Sequence, residues 1–222
     1  MNVNSITGRR HWLRRLVGGW VAAWGMIYCR QLLAAGQLPP GVADVRGDVR
    51  INGRQAEKGQ HVAPGDEIVT GKNAQLVFVS EKDAFLVRGN SRVQFGDRAG
   101  SAMTVLRVFT GALLSVFETG RSRQIRTVTA TMGIRGTGIY VEAEARRTYV
   151  CTCYGEAELI PVDDPKAAEI VRTKRHDQPR YIYAKGVPRM LEPAPVVNHT
   201  DVELQMLEQL TGRKLPFELG SY

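Results

Sequence analysis

The segment that most restricts what this chain can become runs from Ile125 to Ile160, IRTVTATMGIRGTGIYVEAEARRTYVCTCYGEAELI. Two runs of β-branched and aromatic residues flank Gly133-Ile134-Arg135-Gly136-Thr137-Gly138, and the second run ends in Cys151-Thr152-Cys153-Tyr154-Gly155. Alternation of this kind predicts strands on either side of the glycines. The glycines open backbone angles closed to other residues, so Gly133, Arg135, Gly136, Thr137 and Gly138 are expected to form a structural turn. Arg135, with its rigid fork of donors, is expected to satisfy carbonyls at that turn in preference to gripping an acidic partner. No helix follows the glycines, which argues against a phosphate-cradling loop.

The same grammar extends from Val42 to about Val162. Asn52-Gly53 is a strong hairpin signal, and Ala63-Pro64-Gly65-Asp66 predicts a second turn. Short apolar runs follow at Ile68–Thr70, Leu76–Val79, Phe85–Val87 and Val93–Phe95, then at Val105–Phe109 and Ala112–Phe117 across Thr110-Gly111. Strands at such spacing predict an all-β domain over residues 42–162, a sandwich of short antiparallel strands, with a short β-solenoid as the alternative. Residues 163–222 read as a C-terminal extension. Lys166–Lys174 fits a short helix or a strand, 179–184 a strand, and 200–211 a helix opened by a Thr200/Glu203 capping box.

The N-terminus reads differently. Five of the 30 basic residues (Arg9, Arg10, Arg14, Arg15, Arg30) lie in the first 36 positions, where there is no acid; the other 25 face 22 acidic residues. The net charge of +8 therefore comes mostly from one segment, and nucleic acid is not an expected partner. A basic run, an apolar run Leu16–Tyr28 and small residues Ala34-Ala35-Gly36 have the layout of an export signal over residues 1–36. Arg9-Arg10-His11-Trp12-Leu13 resembles a twin-arginine signal. Cleavage after Ala35 or Gly36 is expected, with an uncleaved anchor as the alternative and the chain's one route to a membrane. The apolar run falls short of the roughly 20 residues that span a bilayer. Tyr28 before Cys29 argues against lipidation. The expected location is the periplasm or cell envelope.

Gly65-Asp66-x-Ile68-x-Thr70-Gly71-x-x-Ala74-Gln75-Leu76, Leu106-x-x-x-x-Gly111-Ala112-Leu113 and Ile125-x-Thr127-x-x-Ala130-x-x-Gly133-Ile134-Arg135-Gly136-Thr137 together resemble the FecR-type periplasmic domain. The resemblance covers about residues 42–160 and implies an envelope β domain. Its iron-responsive members carry a cytoplasmic sigma-binding region before the membrane span; only about fifteen residues precede Leu16 here, so that region is not expected. Membrane-anchored signalling is a secondary expectation.

No nucleophile–base motif occurs, and an enzyme is not expected. The first functional expectation is a non-enzymatic envelope module that binds a protein or an envelope polymer. The second centres on Cys151 and Cys153. On one strand these residues share a face roughly 6.5–7 Å apart, at the limit for a disulfide, so a bridge would demand a bulge. Tyr149 is expected beside them and Tyr154 on the opposite face. They are read as buried core residues, as thiolate ligands for zinc or copper with His176 or His199 completing the site, or as redox-active thiols or a strained or intermolecular disulfide. No other cofactor is expected. The basic runs Arg121-Ser122-Arg123 and Arg172–His176 read as solvated faces.

Overall fold

The computed structural model describes residues 39–96, 104–186 and 188–219. The expected export signal or anchor over residues 1–36 lies outside the described residues. Among those described, no helix is long and apolar enough to cross a membrane.

Among the described residues, fourteen strands join one hydrogen-bonded network: β1 (Gly41–Arg46), β2 (Val49–Ile51), β3 (Arg54–Gln55), β4 (Asp66–Thr70), β5 (Gln75–Ser80), β6 (Asp83–Val87), β7 (Arg92–Phe95), β8 (Thr104–Val116), β9 (Ser122–Arg126), β10 (Ala130–Ala143), β11 (Arg147–Pro161), β12 (Glu169–Thr173), β13 (Arg180–Tyr183) and β14 (Leu191–Pro193). The main path runs β14-β13-β11-β10-β9-β8-β7-β4-β2-β3, with β1-β5-β6 joined to it through β8 and β12 beside β11. Pairing is antiparallel apart from β8 with β9, which is parallel. The architecture is thus all-β and built from hairpins, not from the coils of a solenoid. The Asn52-Gly53 hairpin forms between β2 and β3, with both residues at left-handed φ (52° and 78°).

One α-helix among the described residues, α1 (Asp201–Leu210), starts at Thr200. Its capping box is complete: the Glu203 amide donates to Thr200 Oγ1 (3.3 Å), and the Thr200 amide donates to the Glu203 carboxylate (2.9 Å). Lys166–Lys174 becomes a 3-10 turn at Pro165–Ala167 followed by β12, an edge strand.

The strands are not all short. β8, β10 and β11 span 13, 14 and 15 residues, and each passes without a break through a glycine that reads in sequence as a turn. The expected turn at Gly133–Gly138 is a bend within β10. Arg135 pairs with Glu156 and Gly138 with Tyr154, so Gly136 and Thr137 together oppose Gly155. An extra residue in one strand switches the alternation of its side chains. Accordingly Met132 and Ile134 point into the main core before the bend, and Ile139, Val141 and Ala143 after it. Gly136 has φ of 57°, and a Cβ there would stand 2.6 Å from Thr119 Cγ2. A glycine cluster serves a bulge as well as it serves a turn, since both need left-handed backbone.

Two apolar clusters follow from the alternation. Phe78, Phe85, Leu113, Val141 and Val150 belong to a core that draws on nearly every strand. Their neighbours Val77, Leu86, Leu114, Tyr140, Tyr149, Cys151 and Cys153 point the other way, into a second cluster closed by Leu204 and Leu207 of α1. This second layer holds the candidate site. Arg123, read in sequence as solvated, is buried: its Nε meets Asp83 Oδ2 at 2.6 Å, and both side chains are 5% exposed. It occupies an inward position of β9. Burial pushes the Asp83 carboxyl above its ordinary value, against the pull of the Glu118 amide and Arg123.

Candidate metal centre

Cys151 and Cys153 lie on the face of β11 that α1 and the segment before it cover. A second bulge sits here: Ile139 pairs with Thr152 and Gly138 with Tyr154, which leaves Cys153 as the extra residue. It turns Tyr154 onto the same side as Tyr149 and the two cysteines, contrary to the strict alternation expected from sequence. Gly138 makes room for this, because a Cβ there would stand 2.4 Å from the Tyr154 ring. The bulge that a disulfide would demand is present, yet both cysteines are free and buried.

The loop after β12 folds back on this strand. His176 has a left-handed φ of 47°, and its amide donates to the Cys153 carbonyl (3.0 Å), which aims the imidazole at Cys151. Cys151 Sγ lies 3.3 Å from His176 Nδ1. From the other side His199, two residues before α1, brings Nε2 to 2.9 Å from His176 Nδ1, while its ring stacks on Tyr140 at a centroid distance of 4.5 Å. Both expected histidines therefore reach the cysteine pair. Four buried ligand atoms, one from each of Cys151, Cys153, His176 and His199, lie within 4.8 Å of one another.

The remaining ring nitrogens are already committed. His199 Nδ1 donates to the Val197 carbonyl (2.6 Å), which can only accept. His176 Nε2 donates to Asp201 Oδ1 (3.0 Å), and Asp201 Oδ2 accepts from Arg175 Nη2 (2.7 Å). Asp201 is the first residue of α1, where the helix dipole favours a carboxylate. With these protons assigned, the remaining nitrogens, His176 Nδ1 and His199 Nε2, face each other and the thiols. Lone pairs at 2.9 Å repel unless a proton or a metal ion sits among them. A histidine fixed by a carboxylate or carbonyl on its far nitrogen is the usual arrangement of a metal-ligating imidazole.

The thiols are unequal. A hydrogen bond from Cys153 draws Cys151 down to about 4 against the cost of burial, and His176 and His199 act in the same direction. Burial, then the thiolate beside it, pushes Cys153 well above its ordinary value. One thiolate is thus ready as a ligand, and the other forms when its proton leaves. Tetrahedral zinc, with bonds of about 2.3 Å to sulfur and 2.0–2.1 Å to nitrogen, asks for ligand atoms roughly 3.3–3.8 Å apart. The donor set fits such an ion once the two imidazole nitrogens part from 2.9 Å and the farthest donors draw in from as much as 4.8 Å.

Tyrosines fasten the covering segment. Tyr149 donates to the Pro195 carbonyl (2.9 Å) and accepts from the Val197 amide (3.3 Å), and Tyr154 donates to Glu208 of α1. Arg88 bridges to Glu203 (2.8 Å) and to the Asn198 carbonyl (2.7 Å).

Arg135 lies outside the centre. It is exposed, and its side chain makes no hydrogen bond or ion pair among the described residues, so it does not brace a turn. Asp201 and the Val197 carbonyl were not picked out as site groups from sequence. The available signal was the closeness of Val197 and Asp201 to His199, each two residues away.

No protein-family model matches the chain, and no curated protein matches it. Two solved crystal structures are similar to it, at 1.65 Å and 2.50 Å resolution, both of a "putative anti-sigma factor" from Parabacteroides distasonis ATCC 8503. Each is 13% identical with a TM-score of 0.48; the match takes in 57% of this chain and 59% of that one, so the chain spans about three-fifths of their length.

Proposed function

We propose that this protein is a non-enzymatic module of the cell envelope that carries one tetrahedral zinc-type ion on Cys151, Cys153, His176 and His199. The observation that carries the proposal is the set of four buried donors within 4.8 Å, with both histidines oriented by acceptors on their far nitrogens. Protein groups supply four ligands and leave no open position, which favours a structural role for the ion over catalysis. The envelope location rests on the N-terminal sequence and on the FecR-like resemblance of the β domain. Partner binding, to a protein or an envelope polymer, remains part of the proposal.

Cobalt(II) titration of metal-free protein tests the metal assignment. The expected result is saturation at one equivalent, with thiolate-to-cobalt charge-transfer bands and the intense visible bands of a tetrahedral site. Octahedral-type spectra, or the same bands in Cys151→Ser/Cys153→Ser, would refute it.

A further inference from the structure

A groove of about 600 Å³ beneath the C-terminal tail is lined by none of the four candidate ligands. Its walls are Phe117 and Tyr154 on the β domain and Pro216 and Phe217 on the tail. The volume is typical of sites for small organic ligands, and the lining is mostly apolar, as such sites require.

Its charges are lopsided. Lys174, Arg213 and Lys214 stand at the groove against one acid, Glu208. Glu208 is already engaged by Tyr154 and Arg213. Neither Lys174 nor Lys214 makes an ion pair or hydrogen bond among the described residues. Arg213 donates from Nε to Glu208 and from Nη1 to the Lys82 carbonyl, but its Nη2 is buried without a partner. Apolar walls with unspent positive charge at the edge select a ligand with a hydrocarbon body and one anionic head.

We propose that this groove binds a single long-chain carboxylate, its chain against Phe117, Tyr154, Pro216 and Phe217 and its head near Lys174, Lys214 and Arg213. The assignment is independent of the metal reading, although Phe217 separates the groove from His176 (ring centroids 6.1 Å apart).

Calorimetric titration of the metal-loaded protein with dodecanoate, below its micelle concentration, tests the site. Saturable one-to-one binding is expected, with dodecanol at least about tenfold weaker because it lacks the charge. Lys174→Glu/Lys214→Glu changes exposed side chains only and should raise the dissociation constant at least about tenfold with the melting temperature unchanged. Pro216→Asp, which puts a carboxylate on the apolar wall, should abolish binding. No saturable binding, equal binding of dodecanol, or an unaltered constant in both variants would overturn the proposal. Tighter binding of lysophosphatidylglycerol than of dodecanoate would overturn it in favour of a membrane lipid.

Discussion

His176 Nδ1 and His199 Nε2 face each other across 2.9 Å, and the opposite nitrogen of each ring already donates, to Asp201 and to the Val197 carbonyl. The two imidazoles come from loops 23 residues apart and meet over a pair of thiols on a third segment. Folding has spent polar groups on orienting these rings toward a compact set of donor atoms, which on the proposed reading receives a cation.

On the proposed reading, Asp201 acts on the ion through His176. Asp201→Asn keeps the shape but removes the charge that makes His176 Nδ1 a better donor. Zinc affinity, measured by competition with a chromophoric chelator, should fall about 10–100-fold while saturating zinc still gives one equivalent. An unchanged affinity would leave Asp201 as a helix-cap and Arg175 partner only.

Metal affinity should rise with pH. Cys153 is held as a thiol by burial and by its thiolate neighbour, so its proton must leave before both sulfurs can ligate. Cys151, at about 4, is already ionised near neutrality and adds no slope there. Lower pH favours the protonated, metal-free centre. Between pH 6 and 8 the apparent dissociation constant should tighten by about tenfold per pH unit, one proton being released; a flat profile would contradict this ordering of the thiols.

With ligands from β11, from the loop after β12 and from the segment just before α1, the proposed ion would fasten the C-terminal layer. Hydrogen exchange after chelation should speed up at residues 174–178 and 197–210, by about tenfold or more in the least protected amides. Amides of β4 and β7, which pack in the other cluster, should change little. Uniform acceleration across all strands would place the ion's effect on global stability instead.

The element Arg135-Gly136-Thr137-Gly138 divides into parts that matter for stability and one that does not. Gly136→Ala meets Thr119 at a left-handed φ, and Gly138→Ala meets the Tyr154 ring. Each should lower unfolding free energy by about 1–3 kcal/mol in urea melts. Arg135→Ala, exposed and uncommitted, should stay within about 0.5 kcal/mol of the parent.

Much of the fold was legible in the alternation of apolar residues, in Asn52-Gly53 and in the Thr200/Glu203 box, because local chemistry decides those features. The site was legible by residue type: cysteines at i and i+2 on a strand had to share a face, and histidines were scarce enough to notice. Strand continuity was not legible, since Gly111 and Gly136 carry the same signal whether the chain reverses or merely bends. Nor was the position of Tyr154, which depends on a bulge at Cys153 that only the partner strand β10 reveals. Arg123 looked solvated because its buried partner, Asp83, lies 40 residues away.

Zinc content measured by inductively coupled plasma mass spectrometry, on protein purified without added metal or chelator, tests the central claim most directly. The account predicts about one zinc per chain, lost in Cys151→Ser/Cys153→Ser and in His176→Ala/His199→Ala while far-ultraviolet circular dichroism retains the β signature. Protein that carries no stoichiometric metal and takes up none when zinc is supplied, with both thiols free, would contradict it.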